Sequence, residues 1–409
     1  MSKCLSYLKE RGFFQQATDE KNIAKLLDEK KAAIYCGFDP TNISLHLGHL
    51  VPIMALAQLQ RMGHKPIALV GGGTAMIGDP SGKTEARKML TIEKIDDNLL
   101  KIKKQLEKFI VLDGQKGILV NNADWLRNIN YLDFLRDIGK NFSVNRMLSF
   151  ETYKEKMKNG LSFLEFNYVL LQSYDFLELY KRHNCLIQIG GDDQWANMVS
   201  GVDLIRRMEQ TTEVECLTLP LILTSDGKKM GKTEKGAIFL SQELTSPYDF
   251  YQYWVNVTDD DTIRFMKLYT FLELDEIKKY ENLKNEELRT AKEVLAYEMT
   301  KIVHGEEEAV KARDGAKAAF GGGNNLDLMP STEIPKSRLN EGINVVDLFL
   351  ECELANSKSE VRRLIEQGGC RINEEKITDQ ALIINKTHLT DKGIILKSGK
   401  KKVHRVYII

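Results

Sequence analysis

The stretch Ala32-Ala33-Ile34-Tyr35-Cys36 is a short apolar run, and after Asp39-Pro40-Thr41 the chain continues into His46-Leu47-Gly48-His49. The run has the length and composition of a buried β-strand, and apolar residues at helical spacing follow from Leu50 onward. The stretch therefore predicts a strand that leads through a loop into a helix, as in an open α/β sheet. A helix that begins there presents backbone N–H groups and its positive end to an anion.

Four more apolar runs alternate with helical patterns, at residues 66–70, 118–120, 185–189 and 217–223. Strands that alternate with helices are typical of a doubly wound parallel sheet. From residue 246 the pattern becomes helical, a glycine- and proline-containing stretch indicates a linker, and a short lysine-rich module ends the chain. We therefore expect an α/β protein with a Rossmann-like catalytic domain at 1–225, a loop and helical domain at 226–320, a linker at 321–339 and a small α+β domain at 340–409.

Composition sets limits on function. The 409 residues are 43% hydrophobic and carry a formal net charge of zero, so nucleic acid would be bound by local basic patches and not by a global positive field. The six cysteines are scattered without metal-like spacing, which favours reduced thiols in a cytosolic protein. The N-terminal segment lacks the apolar core of a signal peptide, and no run is long enough to span a bilayer. We expect a cytoplasmic protein without a membrane partner.

A second motif, Lys229-Met230-Gly231-Lys232-Thr233, follows the last apolar run and lies between Gly227 and Gly236. Flanking glycines favour a mobile loop whose lysines could close over a pyrophosphate group. Alone, such a segment is more often a solvated hairpin tip, just as His46 and His49 alone could be surface histidines near a helix start. The two motifs together, each predicted at the end of a strand, favour a nucleotide site.

A glycine-rich segment from Gly71 to Thr84 has some likeness to a P-loop. The Walker A spacing requires glycine at the position of Ile77, so the sequence excludes that motif.

Tyr168, Gln172 and Asp175 are spaced i, i+4 and i+7, which places them on one face of a helix. Polar side chains in this apolar segment either face solvent or line a pocket, and the spacing does not decide between the two.

The motifs His46 to His49 and Lys229 to Thr233, in this order, resemble the HIGH and KMSKS signatures of class I aminoacyl-tRNA synthetases. Together with the polar helix face from Tyr168 to Asp175, they make the chain resemble the bacterial-type tyrosyl-tRNA synthetases over essentially its whole length. Residues 344–373 resemble the S4-type RNA-binding domain that ends those enzymes. The second motif has Gly231 and Thr233 in place of serines, a form that tyrosyl enzymes also use.

The resemblance implies a set of site residues. The catalytic residues would be Thr41, His46, His49, Lys83, Arg87, Lys229, Lys232 and Thr233. Tyrosine would be bound by Tyr35, Asp79, Tyr168, Gln172, Asp175, Gln188 and Gln194. ATP would contact Gly37, Asp39, Gly48, Gly191 and Asp193. RNA would contact Lys358, Arg362 and Arg363, which could also form an ordinary solvated helix. Asp192 departs from the small residue usual in the family, and its effect on the charge of the site stays open.

The implied activity is that of a tyrosine–tRNA ligase, which makes tyrosyl-adenylate from L-tyrosine and ATP and transfers the tyrosyl group to the 3'-terminal ribose of tRNA(Tyr). ATP with Mg²⁺ would be a substrate, without a tightly bound metal or organic cofactor, and the protein would be a homodimer. Tryptophanyl-tRNA synthetase is the nearest alternative, but Asp175 with Tyr35 and the S4-like tail argue against it. A catalytically silent RNA-binding protein on the same scaffold is disfavoured by the two intact motifs.

Overall fold

A computed structural model describes residues 2–29, 32–79, 90–225, 227, 230–233, 236–321, 330–373, 375–390, 393–399 and 402–409. The described helices are α1 (Lys3–Arg11), α2 (Glu20–Glu29), α3 (Leu50–Arg61), α4 (Ile92–Leu106), α5 (Ala123–Leu126), α6 (Tyr131–Asp137), α7 (Val144–Ser149), α8 (Glu151–Asn159), α9 (Phe163–His183), α10 (Trp195–Glu209), α11 (Pro247–Val255), α12 (Asp259–Tyr269), α13 (Leu274–Ile277), α14 (Glu286–His304), α15 (Glu306–Gly321), α16 (Lys336–Glu341), α17 (Val345–Glu351) and α18 (Lys358–Glu366).

The described strands are β1 (Gln16–Ala17), β2 (Ala33–Phe38), β3 (Lys65–Val70), β4 (Ile118–Asn121), β5 (Cys185–Gly191), β6 (Glu215–Leu219), β7 (Lys232–Thr233), β8 (Gly236–Ala237), β9 (Ser331–Ile334), β10 (Ile343–Asn344), β11 (Cys370–Ile372), β12 (Glu375–Lys376), β13 (Ile383–Ile384), β14 (Ile394–Ser398) and β15 (Lys402–Ile408). The chain divides into two compact units. The first comprises Met1–Thr233, Ala237–Thr245 and Thr258–Ala291, and the second comprises Glu234–Gly236, Ser246–Val257 and Lys292–Ile409.

The first unit is built on a six-stranded sheet in the order β1-β6-β5-β2-β3-β4. Its four inner pairings from β6 to β4 are parallel, and only the short edge strand β1 is antiparallel. The central strands are buried along almost their whole length, as expected for a sheet covered by helices on both faces. The predicted α/β fold with a parallel sheet is confirmed, and the antiparallel edge makes the sheet mixed.

The order of the strands locates a binding crevice. From β2 the chain moves outward through β3 and β4, and then returns to place β5 and β6 on the other side of β2. The strand order therefore reverses between β2 and β5. In open α/β sheets, ligands bind outside the carboxyl ends of the strands at such a reversal.

One predicted strand differs in extent. Strand β6 ends at Leu219, whereas the apolar run predicted a strand as far as Leu223. Pro220 has no N–H group to donate to the sheet, and Leu221 and Leu223 are exposed. The sequence had suggested that the second motif directly follows a strand. In the structure, β6 ends ten residues before Lys229, so it does not.

The predicted helical region after residue 246 is present as helices α11 to α15. Ser246 accepts a hydrogen bond from the backbone N–H of Asp249, and Pro247 occupies the first turn of α11. This is a favourable helix start, because proline lacks the N–H group that would have no partner there.

The C-terminal part of the second unit contains a five-stranded sheet in the order β12-β11-β14-β15-β9. Helices α17 and α18 supply Phe349, Val361 and Ile365 to its core. Strand β9 pairs with β15 in parallel, and β9 and the start of α16 lie inside the range 321–339 that the sequence assigned to a linker. Part of the predicted linker therefore forms regular secondary structure.

Candidate active site

The first motif forms a turn that is capped by its own histidines. His46 precedes the 3-10 turn Leu47–His49, and its Nδ1 accepts a hydrogen bond from the Gly48 N–H at 3.0 Å. Nδ1 of His49 accepts from the His46 N–H at 3.2 Å. Because both Nδ1 atoms accept, each neutral ring carries its proton on Nε2. Two backbone N–H groups of this segment are thus used by the turn, and each imidazole keeps an Nε2–H group as a donor.

Gly48 is required by this arrangement. A Cβ at Gly48 would lie 2.8 Å from Cε1 of the His46 ring, closer than a carbon contact allows. The two rings stand with their centroids 4.1 Å apart. A side chain at position 48 would therefore displace the His46 imidazole.

The second motif lies against the first. Gly231 has a φ of 75°, and a Cβ there would lie 2.8 Å from Cβ of Leu47. The Gly231 carbonyl accepts from the Ile238 N–H at 2.8 Å, and the Ile238 carbonyl accepts from the Leu47 N–H at 3.1 Å. The fold thus brings together two motifs that are far apart in sequence.

Part of the predicted phosphate-binding set cannot be located. Lys83, Arg87 and Lys229 lie outside the described residues. Lys232 and Thr233 lie in β7, but their side chains are outside the described part of the structure. Gly37, at the end of β2, and Thr41, in the loop that follows, are exposed beside the crevice.

The inner end of the crevice contains two polar atoms without a partner. Tyr35 on β2 and Gln188 on β5 are neighbours in the sheet. The Tyr35 hydroxyl and Oε1 of Gln188 are buried, and neither has a hydrogen-bond partner among the described residues. Because buried polar atoms are nearly always paired, this combination indicates a place for a polar group of a ligand.

Asp175 is a buried carboxylate with two fixed donors. Its Oδ1 accepts from the indole N–H of Trp125 at 2.7 Å, and its Oδ2 accepts from Nδ2 of Asn122 at 2.9 Å. Burial raises the pKa of Asp175 to about 8, although these two hydrogen bonds act to lower it. Burial and the charge of Asp175 raise the pKa of Tyr35 well above its ordinary value.

The sequence analysis did not identify Asn122 or Trp125. A signal was present, because Asn121 and Asn122 are a polar pair at the end of strand β4, and polar residues at that edge of a parallel sheet often line a site.

A hydrogen-bond chain runs from Asp175 to Tyr168. Asn122 donates to Thr74 Oγ1 at 3.0 Å, Thr74 donates to Asp39 at 2.9 Å, and the Tyr168 hydroxyl donates to the other Asp39 oxygen at 3.2 Å. A carboxylate can only accept, so the direction of these bonds is set. The Tyr168 oxygen therefore offers lone pairs to a ligand. Asp39, predicted to contact ATP, accepts hydrogen bonds from Thr74 and Tyr168 in this hydrogen-bond chain.

The remaining polar residues form a second cluster. Nε2 of Gln194 donates to Asp79 at 2.8 Å, and Nδ2 of Asn197 bridges Oε1 of Gln194 at 3.2 Å and Oε1 of Gln172 at 3.0 Å. Three predicted tyrosine-binding residues are thus connected, through an asparagine on α10 that the sequence analysis missed.

The end of strand β5 carries two adjacent aspartates with different surroundings. A Cβ at Gly191 would lie 2.6 Å from Oδ1 of Asp193, so this carboxylate lies close over the glycine. Oδ1 of Asp192 accepts from Gln16 and from Thr218, both at 2.7 Å. Asp192 is therefore held by side chains of strands β1 and β6.

The predicted RNA-binding residues lie on α18 in the second unit, on the short helix that the sequence predicted. Arg362 and Arg363 are exposed, and Lys358 forms an ion pair with Asp347 at 2.6 Å.

Three other observations concern the described residues only. No cluster of three His, Cys, Asp or Glu side chains among them could hold a metal ion. No described helix is long and apolar enough to cross a membrane. The six cysteines are buried and free, and burial raises the pKa of each, which keeps them as thiols.

Comparison with known proteins agrees with this geometry. Residues 27–321 match the family "tRNA synthetases class I (W and Y)", and residues 325–406 match the "Tyrosine–tRNA ligase SYY-like C-terminal domain". The tyrosine–tRNA ligase of Treponema denticola is 56% identical over 407 residues, covering 99% of each chain, and that of Clostridium botulinum (strain Hall) is 52% identical over 409 residues, covering 100% of each. A C-terminally truncated mitochondrial tyrosyl-tRNA synthetase from Aspergillus nidulans has a TM-score of 0.70 at 30% identity, covering 78% of this chain and 95% of that one.

The chain therefore belongs to the class I aminoacyl-tRNA synthetases, and within them to the tyrosine–tRNA ligase family. The resemblance seen in the sequence motifs is confirmed over the whole chain.

The raised pKa of Asp175 gives a prediction for stability. In the folded state the Asp175 carboxyl group keeps its proton up to about pH 8, whereas an unfolded aspartate loses its proton near pH 4. The folded state therefore binds more protons than the unfolded state between these two pH values. The contribution of Asp175 to the free energy of unfolding is therefore present at low pH and falls as pH rises through this window, by up to about 1.4 kcal/mol per pH unit. Asp175→Asn removes the titration, so the variant should gain stability relative to the parent between pH 5 and pH 8, as measured by urea unfolding.

Asp113→Asn is the control, because backbone hydrogen bonds from Lys116 and Gln115 lower the pKa of that exposed carboxylate, below this pH window. Its difference from the parent should stay constant. Parallel curves for Asp175→Asn and the parent would contradict the prediction.

Proposed function

We propose that this chain joins L-tyrosine to tRNA(Tyr) in two steps, through tyrosyl-adenylate. The observation that carries the proposal is the buried Asp175, held by Asn122 and Trp125 near the unpartnered hydroxyl of Tyr35. These groups lie beside the strand reversal, where the fold is expected to bind its ligand. Membership of the tyrosine–tRNA ligase family supports the same conclusion.

Asp175 and Tyr35 would bind the phenolic hydroxyl of tyrosine. Phenylalanine has no hydroxyl group at this position, so the buried polar atoms of Asp175 and Tyr35 would have no hydrogen-bond partner from the substrate. A site built on such a hydrogen bond rejects the analogue that lacks it, an effect for which tyrosyl-tRNA synthetases are the known example. Gln188, whose Oε1 is also unpartnered, would complete this end of the pocket.

The other end of the pocket would bind the α-ammonium group, which has three N–H donors. Tyr168 offers lone pairs because its own proton is donated to Asp39. Oε1 of Gln172 and the carboxylate of Asp79 are further acceptors, placed by Asn197 and Gln194 respectively. Three acceptors for three donors would orient the substrate carboxylate.

The first step would be in-line attack of the tyrosine carboxylate on the α-phosphorus of Mg-ATP. A carboxylate–phosphorus bond forms, and the bond from the α-phosphorus to the pyrophosphate oxygen breaks. The attacking carboxylate is already ionised at neutral pH, so catalysis consists of positioning and of stabilising charge on the phosphates. His46 and His49 would donate their Nε2–H groups without bringing a net charge.

Further groups are assigned from the family resemblance. Thr41, Lys83, Arg87, Lys229, Lys232 and Thr233 would act with the two histidines on the phosphates. Gly37, Asp39, Gly48, Gly191 and Asp193 would contact ATP. Mg²⁺ would arrive with ATP as part of the substrate.

The second step would use the C-terminal domain. We place the domains at 1–225, 226–320 and 340–409, as the sequence suggested, with strand β9 in the segment between the last two. Arg362, Arg363 and Lys358 on α18 would contact tRNA phosphates, which position the RNA without reading its sequence.

We also propose a homodimer. Large apolar side chains are exposed on the consecutive helices α6 to α9, namely Tyr131, Leu132, Leu135, Val144, Met157, Phe163 and Leu164. Exposed apolar surface of this extent is typical of a protein interface. The proposed substrates, tRNA and ATP, support a cytoplasmic location.

The test of the activity is tyrosine-dependent ATP–pyrophosphate exchange, followed by aminoacylation of tRNA(Tyr). Asp175→Ala should reduce the preference for tyrosine over phenylalanine, measured as the ratio of the two kcat/KM values, because the acceptor is lost. Asp113→Ala, on an exposed turn, should leave the ratio unchanged. Equal losses for both amino acids would show that Asp175 does not select the substrate.

A second prediction concerns the first motif. His46→Ala should lower kcat for exchange on the order of 100-fold, with little change in the KM for tyrosine, because the lost donor acts mainly on the transition state. His183→Ala, at the end of α9, is the matched histidine control. A change confined to the KM for tyrosine would show that His46 acts on tyrosine binding and that its assignment to the phosphates is wrong.

A third prediction concerns the tail. A chain that stops after Gly323 should keep exchange activity nearly intact and lose aminoacylation, because the adenylate step needs no group from the C-terminal domain. The structure of a C-terminally truncated relative supports the folding of such a product. The loss of tRNA binding should be largest at low salt, where phosphate contacts count most. A folded truncation product without exchange activity would overturn the assignment.

A further inference from the structure

The loop between β2 and the first motif is held by helix α4. Gln105 on α4 is buried, and its Nε2 donates to the Ile43 carbonyl at 3.3 Å. Its Oε1 accepts from the Leu45 N–H at 2.9 Å and lies 3.1 Å from the Ser44 hydroxyl. A backbone N–H can only donate, so this contact fixes the orientation of the amide. One side chain thus binds the three residues directly before His46.

A second buried amide on α4 holds the start of the same loop. Asn98 lies seven residues before Gln105 and so on the same face of the helix. Its Nδ2 donates to the carbonyl of Pro40 at 2.9 Å, next to Thr41. Both ends of the loop are therefore anchored to α4.

The opposite side of the loop pairs with residues 238–241, which follow the second motif. The Ser241 N–H donates to Ser44 Oγ at 3.0 Å, and the Leu240 N–H donates to the Leu45 carbonyl at 2.9 Å. The Ile238 N–H donates in turn to the carbonyl of Gly231. Gln105 therefore binds the segment through which the two motifs are connected.

We infer that Gln105 is a positioning residue for adenylate formation, which sets the place of His46 relative to the second motif. Gln105 reaches none of the residues proposed to bind tyrosine and acts only through the loop. A displacement of about 1 Å in a catalytic group can lower a rate on the order of 100-fold. This inference rests on the proposed function, because Gln105 would affect the rate of adenylate formation.

Gln105→Met keeps the length of the side chain and removes its hydrogen bonds. It should lower kcat for ATP–pyrophosphate exchange about 10- to 100-fold and leave the KM for tyrosine within about 2-fold, because the tyrosine pocket is built on other elements. The matched control is Gln60→Met on α3. Gln60 makes three hydrogen bonds to the surface segment 111–116, which carries no motif, and its loss should leave kcat within about 2-fold.

Ser44→Ala provides a second, milder variant, which loses the contacts of Ser44 with Gln105 and Ser241. Ser44→Ala should also lower kcat for ATP–pyrophosphate exchange. If Gln105→Met does not fold, this variant tests the positioning role in its place. A normal kcat in a folded Gln105→Met or in Ser44→Ala would overturn the inference, as would equal losses in Gln60→Met. Absence of tyrosine-dependent exchange in the parent protein would instead contradict the proposed function.

Discussion

The site depends first on the burial of one carboxyl group. Asp175 is removed from water, and this would be unfavourable without the donors Asn122 and Trp125. Asn122 is in turn fixed because its carbonyl oxygen accepts from the Gly73 N–H at 2.7 Å. In the hydrogen-bond chain from Asp175 to Tyr168, the neighbouring group fixes whether each group donates or accepts. The two groups proposed to bind the phenolic hydroxyl and the ammonium of tyrosine, Asp175 and Tyr168, are therefore parts of a single hydrogen-bonded structure.

The first motif, where we propose that the nucleotide binds, is organised by a different principle. The first motif uses imidazole nitrogens, and not a serine or aspartate, to cap its turn, so the same histidines that shape the backbone carry their protons on Nε2. Turn geometry and donor chemistry are thus linked. A residue that kept only the cap would lose the donor, and one that kept only the N–H donor would lose the turn.

The sequence predicted the elements whose signals are local. Apolar runs located the parallel strands, and the spacing of Tyr168, Gln172 and Asp175 located one helix face. It did not identify Asn122 or Thr74, because their hydrogen bond forms only when strands β3 and β4 lie side by side, although the polar pair at the end of β4 was a signal for Asn122. It overestimated β6, since the apolar residues after Pro220 are exposed. It also missed β9, whose burial depends on pairing with β15, a strand far along the chain.

Two departures from the family pattern have structural explanations of the same kind. Gly231 replaces the usual serine, and the backbone there has a positive φ and approaches Leu47 so closely that a Cβ would overlap it. Asp192 replaces a small residue, and its carboxylate is bound by Gln16 and Thr218 on the neighbouring strands. The first substitution permits the two motifs to meet, and the second ties the end of β5 to the edge of the sheet. Both changes preserve the geometry of the site through contacts outside the substrate pocket, which is why a comparison of motif letters alone cannot judge them.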